Sequence, residues 1–341
     1  MTATEYYNYD NAFELEQGGK LSGFTLGFST LGNLNSDRTN VIWVCHALTG
    51  SSNVLDWWSG LFGSSQAFNP EDYFIICANM LGSCYGSTGP LSQDPVTGQP
   101  YYHDFPKITN LDIVKSFDLL RNHLGIESID TIIGGSMGGQ QALEWSLYRP
   151  GMIKKLVGLA TNARHSSWGI AFNESQRMAI ENDPTWVEGT DHAGLNGMSV
   201  ARSVALLSYR AYDIYQHRQT DENDLFGGFR ASSYQRYQGD KLVNRFNAFT
   251  YWTLSEAMDA HNVGRNRGGI ETALETIETE CYFIGIDSDI LFPVKEQEFM
   301  AGLIKRSELK VISSHFGHDG FLIETDQIAS TLKGWGIVKN S

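Results

Sequence analysis

The sequence predicts an α/β protein: a mostly parallel, doubly wound sheet with an inserted helical lid domain. Three observations predict it. Short, continuously apolar runs at 41–45, 73–78, 131–135 and 156–160 read as strands buried on both faces. Helix-like stretches lie between them, and strand–helix–strand alternation implies parallel strands joined by right-handed crossovers. Between 162 and 269 the buried-strand signature gives way to helical spacing, and the alternation resumes at 279. The expected division is a sheet core over 1–161 and 270–341, and a helical lid over 162–269.

In chain order, the alternation over 21–31 reads as edge strands of an antiparallel hairpin. The strands at 41–45 and 73–78 follow, separated by a short helix-like segment that holds Trp57 and Trp58. A glycine-rich loop from 81 runs to about 104 without periodicity, a length uncommon in compact domains unless the loop lines a site. An amphipathic helix is expected over 113–124, closed by Gly125. The inserted segment shows helical spacing at 174–181, 199–209, 234–238 and 244–261. After it come a strand (279–286), a helix (294–303), a strand (309–313) and a terminal helix (326–335).

Whole-chain quantities exclude several classes. The 341 residues suit one α/β domain with an insertion, and the net charge of −14 argues against nucleic acid and anionic membrane surfaces as partners. Of four cysteines, Cys45, Cys77 and Cys281 lie in strand-like runs where cysteine is a small buried hydrophobe, and no Cys-x-x-Cys pair occurs. A reducing, cytoplasmic setting and no metal site are expected. The first thirteen residues have neither a basic start nor an apolar centre, so no secretion signal is expected, and no apolar run is long enough to span a bilayer.

The chain is organised around Gly134-Gly135-Ser136-Met137-Gly138, which follows the strand at 131–135 and opens a helix-like run that stops at Pro150. A turn this tight strains the serine backbone, and glycines at 134 and 138 remove side chains that would clash. A serine hydroxyl then stands at a sheet edge and at the positive end of a helix. Gly-x-Ser-x-Gly alone is weak evidence, and a packed glycine turn is its bland rival. The downstream residues lift it. A serine needs a base to take its proton and an acid to orient that base, and in hydrolase-like sheets these follow in the order Ser, Asp, His, each past a strand. Asp287 and Asp289 follow the strand at 279–286; placement before a turn into a helix favours Asp289. His315 and His318 follow the strand at 309–313; the glycine-flanked loop favours His318. Oxyanion donors are expected from the N–H of Met137 and from Leu48 or its neighbour Thr49, with His46 bracing that loop.

Several strings together resemble the homoserine O-acetyltransferase family: 46–50 (His-Ala-Leu-Thr-Gly), 79–90, 134–139 (Gly-Gly-Ser-Met-Gly-Gly), 171–174 (Ala-Phe-Asn-Glu), 257–261 (Ala-Met-Asp-Ala-His), 288–293 (Ser-Asp-Ile-Leu-Phe-Pro) and 317–322 (Gly-His-Asp-Gly-Phe-Leu). The resemblance spans the whole chain. It implies an α/β-hydrolase fold with a helical lid, a Ser136–Asp289–His318 triad, and acetyl transfer from acetyl-CoA as co-substrate to L-homoserine with no bound cofactor. It further implies Arg202 against the substrate carboxylate, Tyr209 beside it and Asp319 facing the amine, as a zwitterion requires. It suggests a homodimer built through the lid helices. Without the resemblance, Arg202 reads as a solvated helix residue and Asp319 as a helix cap. Asn262 and Ser203 depart from the family's usual aspartate and apolar residue. The alternatives are an esterase with the same triad, a non-catalytic binding protein on this scaffold, and the same chemistry with succinyl-CoA or L-serine.

Overall fold

The computed structural model describes residues 3–224 and 226–339. Its strands are β1 (Glu5–Tyr9), β2 (Phe13–Glu14), β3 (Lys20–Leu21), β4 (Phe24–Leu31), β5 (Val41–Cys45), β6 (Phe74–Ala78), β7 (Ile129–Gly135), β8 (Ile153–Leu159), β9 (Glu280–Ile286) and β10 (Ser307–Ile312). Eight form one sheet in the order β1-β4-β6-β5-β7-β8-β9-β10, while β2 and β3 pair separately. From β6 to β10 all neighbours are parallel; β4 is antiparallel to both β1 and β6.

The continuous apolar strands are explained by two cores, one on each face. Along β5, Ile42 and Val44 join one hydrophobic cluster, with Trp58, Phe321 and Ile328. Val41, Trp43 and Cys45 join the other. There Trp43 meets Trp145 edge-on at 4.8 Å, from the helix Met137–Tyr148. A strand with both faces covered has no polar side to display, so period-two alternation disappears.

The expected hairpin over 21–31 is corrected: β3 ends at Leu21 and pairs with β2, and β4 is an interior strand flanked by β1 and β6. The edge on this side is β1, whose Tyr-rich, half-exposed residues carry too little apolar periodicity to be read as a strand. Helix ends shift for local reasons. The helix Asn110–His123 starts early because Thr109 and Asp112 form a reciprocal capping box. The helical run expected over 244–261 begins instead at Ala248, because the Asn247 side chain accepts the Thr250 N–H at 2.8 Å. Between β8 and β9 lie the helices Ser167–Glu181, Leu195–Tyr209, Tyr212–Gln219, Arg230–Val243, Ala248–Asp259 and Ile270–Glu275. Tyr212–Gln219 buries only Ile214 and so leaves no apolar stripe to detect.

Candidate active site

The turn after β7 is built by backbone crowding. Ser136 has φ 56° and ψ −127°, a conformation that costs an L-residue roughly 1–3 kcal/mol. A Cβ at Gly134 would lie 2.4 Å from the Gly138 carbonyl carbon, and one at Gly138 would lie 2.1 Å from the Cys45 carbonyl oxygen. The parallel register pairs Cys45 with Gly134, which sets the loop after β5 directly beside this turn. Ser136 is buried, and among the described residues its Oγ makes no hydrogen bond. The serine is held by its backbone: its N–H donates to the Leu159 carbonyl, and its own carbonyl accepts from Thr161 Oγ1.

Asp289 and His318 meet directly. His318 Nδ1 donates to Asp289 Oδ2 at 2.7 Å, and both side chains are almost fully buried. Asp289 Oδ1 accepts the N–H groups of Leu291 and Phe292 at 2.8 and 2.9 Å, which fixes the carboxylate. With Nδ1–H committed to Asp289, Nε2 is the acceptor face of the imidazole. The competing residues lie elsewhere. Asp287 is exposed and accepts the Ser314 N–H at 3.1 Å, as a turn cap does. His315 is exposed, 3.8 Å from Asp213. Phe321 links the two parts of the site: its ring occupies the space a Cβ at Gly135 would need, 2.4 Å away, and its centroid is 5.3 Å from that of His318.

Residues 47–50 form a turn closed by Gly50 N–H to the Ala47 carbonyl at 2.8 Å. Among the described residues, the N–H groups of Leu48 and Met137 have no hydrogen-bond partner. His46 braces the loop: Nδ1 donates to the Ala47 carbonyl at 2.9 Å, and Nε2 accepts the Met80 N–H at 3.2 Å. Burial lowers the His46 pKa to about 4, so the ring is neutral and can do both.

On the helical side, the Arg202 guanidinium lies over the Tyr209 ring at 5.5 Å, and Tyr209 lies 5.8 Å from the His318 ring. Asp319 sits at the start of a short helix without capping it. Its Oδ2 is instead 2.7 Å from Arg210 Nε, a close ion pair whose N–H is not aligned for a hydrogen bond. Burial raises the Asp319 pKa, opposed by the charges of Arg210 and Arg202. Ser203 and Asn262, the departures from the family pattern, are satisfied locally: Ser203 Oγ donates to the Val200 carbonyl and Asn262 Oδ1 accepts the Gly264 N–H.

Sequence reading missed four contributors. Phe292 stacks on His318 at 5.0 Å. Tyr251, whose hydroxyl donates to Gln176 at 2.6 Å, is wholly buried and interacts with Tyr209. Arg210 holds Asp319. Arg245 donates to the Thr49 carbonyl at 2.8 Å and to the Tyr85 hydroxyl at 2.6 Å, tying the helical segment to the loop that carries Leu48. Only Phe292 left a signal, in the string at 288–293; the others depend on contacts across more than thirty residues of chain. Among the described residues no group of three or more His, Cys, Asp or Glu side chains could hold a metal ion, and no helix is long and apolar enough to cross a membrane.

Residues 40–325 match the family described as alpha/beta hydrolase fold. A homoserine O-acetyltransferase from Cyclobacterium marinum is 48% identical over 336 residues, covering 98% of this chain and 96% of that protein. A homoserine O-acetyltransferase structure from Bacillus anthracis superposes with a TM-score of 0.90 at 23% identity, covering 97% of this chain and 96% of the other. The structure of esterase E22 gives 0.88 at 21% identity, over 98% and 99% of the two chains. At such identities a structural likeness carries the fold alone, and transferase and esterase share it; the sequence relatives are what separate them. By fold and by sequence, the chain belongs to the homoserine O-acetyltransferase family of alpha/beta hydrolases.

Proposed function

We propose that this protein transfers an acetyl group from acetyl-CoA to the hydroxyl of L-homoserine, a step toward methionine, through an acyl-serine intermediate. His318 Nε2 takes the Ser136 proton as Oγ attacks the thioester carbonyl. The tetrahedral oxyanion lies against the N–H groups of Met137 and Leu48. As the intermediate collapses, His318 gives its proton to the departing thiolate, leaving acetyl-Ser136 and free CoA. Homoserine then binds with its carboxylate on Arg202, beside Tyr209, and its ammonium on Asp319. Its hydroxyl passes a proton to His318, attacks the acyl carbon, and leaves as the ester when Ser136 recovers the proton.

The observation that supports this reading best is the charge-separated wall beside the catalytic pair. Arg202 and Asp319 present opposite charges next to His318, and Arg210 engages Asp319 Oδ2 while leaving Oδ1 without a hydrogen bond among the described residues. An esterase that uses water needs neither charge. Water competes for the acyl-enzyme, so the helices between β8 and β9 act in this reading as a lid that excludes solvent and positions one hydroxyl. We also infer a cytoplasmic homodimer joined through these helices, whose outer faces expose Val200, Leu207 and Tyr237.

The test is a panel of acetyl- and succinyl-CoA against homoserine and serine, with thiol release as readout. Thiol release should depend on homoserine and be fastest with the acetyl donor, and Ser136→Ala should reduce it by about 10⁴-fold or more. Homoserine-independent release at the full rate would make the enzyme an esterase.

A further inference from the structure

Two adjoining cavities, about 480 and 240 Å³, share Ile214 and Arg218. Arg218, His217, His315 and Phe316 line the first, with Asp213 as its carboxylate; the second reaches Arg210 and Tyr234. They lie on the segment that carries the catalytic histidine. His315 and Phe316 precede His318 by three and two residues, and Gly317 packs so closely on the lid backbone that a Cβ there would be 2.8 Å from the Ala211 nitrogen. Arg210, in the second cavity, is the residue that contacts Asp319.

The lining carries cationic side chains. With a net charge of −14, the surface as a whole repels a polyanion, so a phosphorylated ligand needs a local cationic site to dock. In the first cavity Arg218, His217 and His315 stand against one carboxylate, Asp213, which lies 3.8 Å from His315 Nδ1, and in the second Arg218 is joined by Arg210, itself paired with Asp319. A guanidinium presents a planar fork matched to phosphate oxygens. Arg218 is also seated over the Phe316 ring at 5.4 Å, so that its planar guanidinium, which can itself stack on a flat ring, is backed by an aromatic side chain in the same cavity. Phosphate and a flat heteroaromatic ring are the two recognition elements of a nucleotide. Homoserine has neither.

We propose that this double cavity binds the nucleotide half of the acyl-CoA donor, with Arg218 as the principal phosphate ligand, so that the acyl-bearing arm enters past Arg210 toward Ser136. The inference rests on the acyl-CoA reading above and specifies the part of the molecule that the catalytic residues do not touch.

The experiment compares two donors in the full-length enzyme: acetyl-CoA and the acetyl thioester of N-acetylcysteamine, which lacks the nucleotide. The ratio of their kcat/KM values should fall about tenfold in Arg218→Ala and further in Arg218→Glu, with Arg218→Lys intermediate because it keeps the charge and loses the fork. Adenosine 3′,5′-bisphosphate should inhibit the wild type competitively against acetyl-CoA, and bind more weakly to Arg218→Ala. A ratio unchanged in both Arg218→Ala and Arg218→Glu, in an enzyme whose wild type uses acetyl-CoA well, would overturn this site while leaving the reaction standing. A wild type that acetylates homoserine from the short thioester and ignores acetyl-CoA would overturn the donor assignment and this site with it.

Discussion

The sheet half and the helical half of this molecule hold their functional groups by different means. At the sheet, Ser136 is placed by backbone crowding: Gly134, Gly138 and Cys45 approach so closely that only one course of the chain is open. In the helical segment, Arg202, Arg210 and Arg245 are placed by what their side chains reach: an aromatic face, a carboxylate and a carbonyl. Backbone placement tolerates no side chain in the wrong spot but survives loss of a single polar contact. Placement by ion pairs and hydrogen bonds is adjustable and is lost one contact at a time. On the proposed function, this arrangement would give a rigid reaction centre and a wall that can be retuned for a different acyl donor or acceptor.

Acid should break the comparison most severely, because it attacks the seam. Burial lowers the pKa of His46 to about 4, of His165 to about 4 and of His261 to about 3. His165 joins the two halves through its ring, whose Nδ1 lies 3.4 Å from Gln140 Nε2 and whose centroid is 5.6 Å from that of Phe292, and the His261 carbonyl steadies it by accepting the His165 backbone N–H at 3.1 Å. Because the folded values lie below the unfolded one, the unfolded chain binds protons that the native state refuses. Stability is therefore complete above about pH 6.5 and lost as pH falls, by about 2 kcal/mol per histidine on reaching pH 5. Nearer pH 4, the raised carboxyl pKa values of Asp112, Glu144 and Asp259 work in the opposite sense, since the native state then takes up protons more readily. Urea unfolding at pH 7.5 and pH 5 measures the loss; equal free energies would show that these imidazoles are solvated.

Within the sheet half, Asp289→Asn should reduce kcat by about 10³–10⁴-fold with little change in KM, because the amide favours the wrong imidazole tautomer. Thiol-release kinetics give the value, and a drop below tenfold would remove Asp289 from the acid's role. In the helical half, Arg202→Ala should raise KM for homoserine by about tenfold to a hundredfold, with a smaller effect on the first acylation step. A burst of thiol release without acceptor separates the two. The smallest effect belongs to Arg245→Ala, which frees the Thr49 carbonyl and loosens the turn that presents the Leu48 N–H. We expect roughly a tenfold fall in kcat, less than loss of an oxyanion donor itself, with partial rescue in Arg245→Lys. A kcat equal to wild type would show that the loop holds its shape through His46 and Gly50 alone.

Much of the sheet half was legible in the linear chain, since its determinants are local. Runs buried on both faces lose alternation, a glycine on each side of Ser136 announces the crowded turn, and the candidate acid and base each follow a strand. The preference for Asp289 over Asp287 was a matter of position; the coordinates supply its physical content, two backbone N–H groups on one oxygen and an imidazole on the other. β1 escaped notice because an edge strand that is half exposed has little apolar pattern, and Tyr212–Gln219 because one buried isoleucine makes no stripe.

By itself, the order of residues determined the α/β alternation, the position of the helical excursion and the identity of the strained serine, all properties that short windows of chain encode. Which charges oppose each other was decided only in three dimensions. That Arg210 takes Asp319, that Arg245 reaches back 196 positions to Thr49, and that Phe321 fills the space left by Gly135 depend on the distance between side chains. Electrostatic and packing energies fall off with separation in space, and separation along the chain carries no record of it.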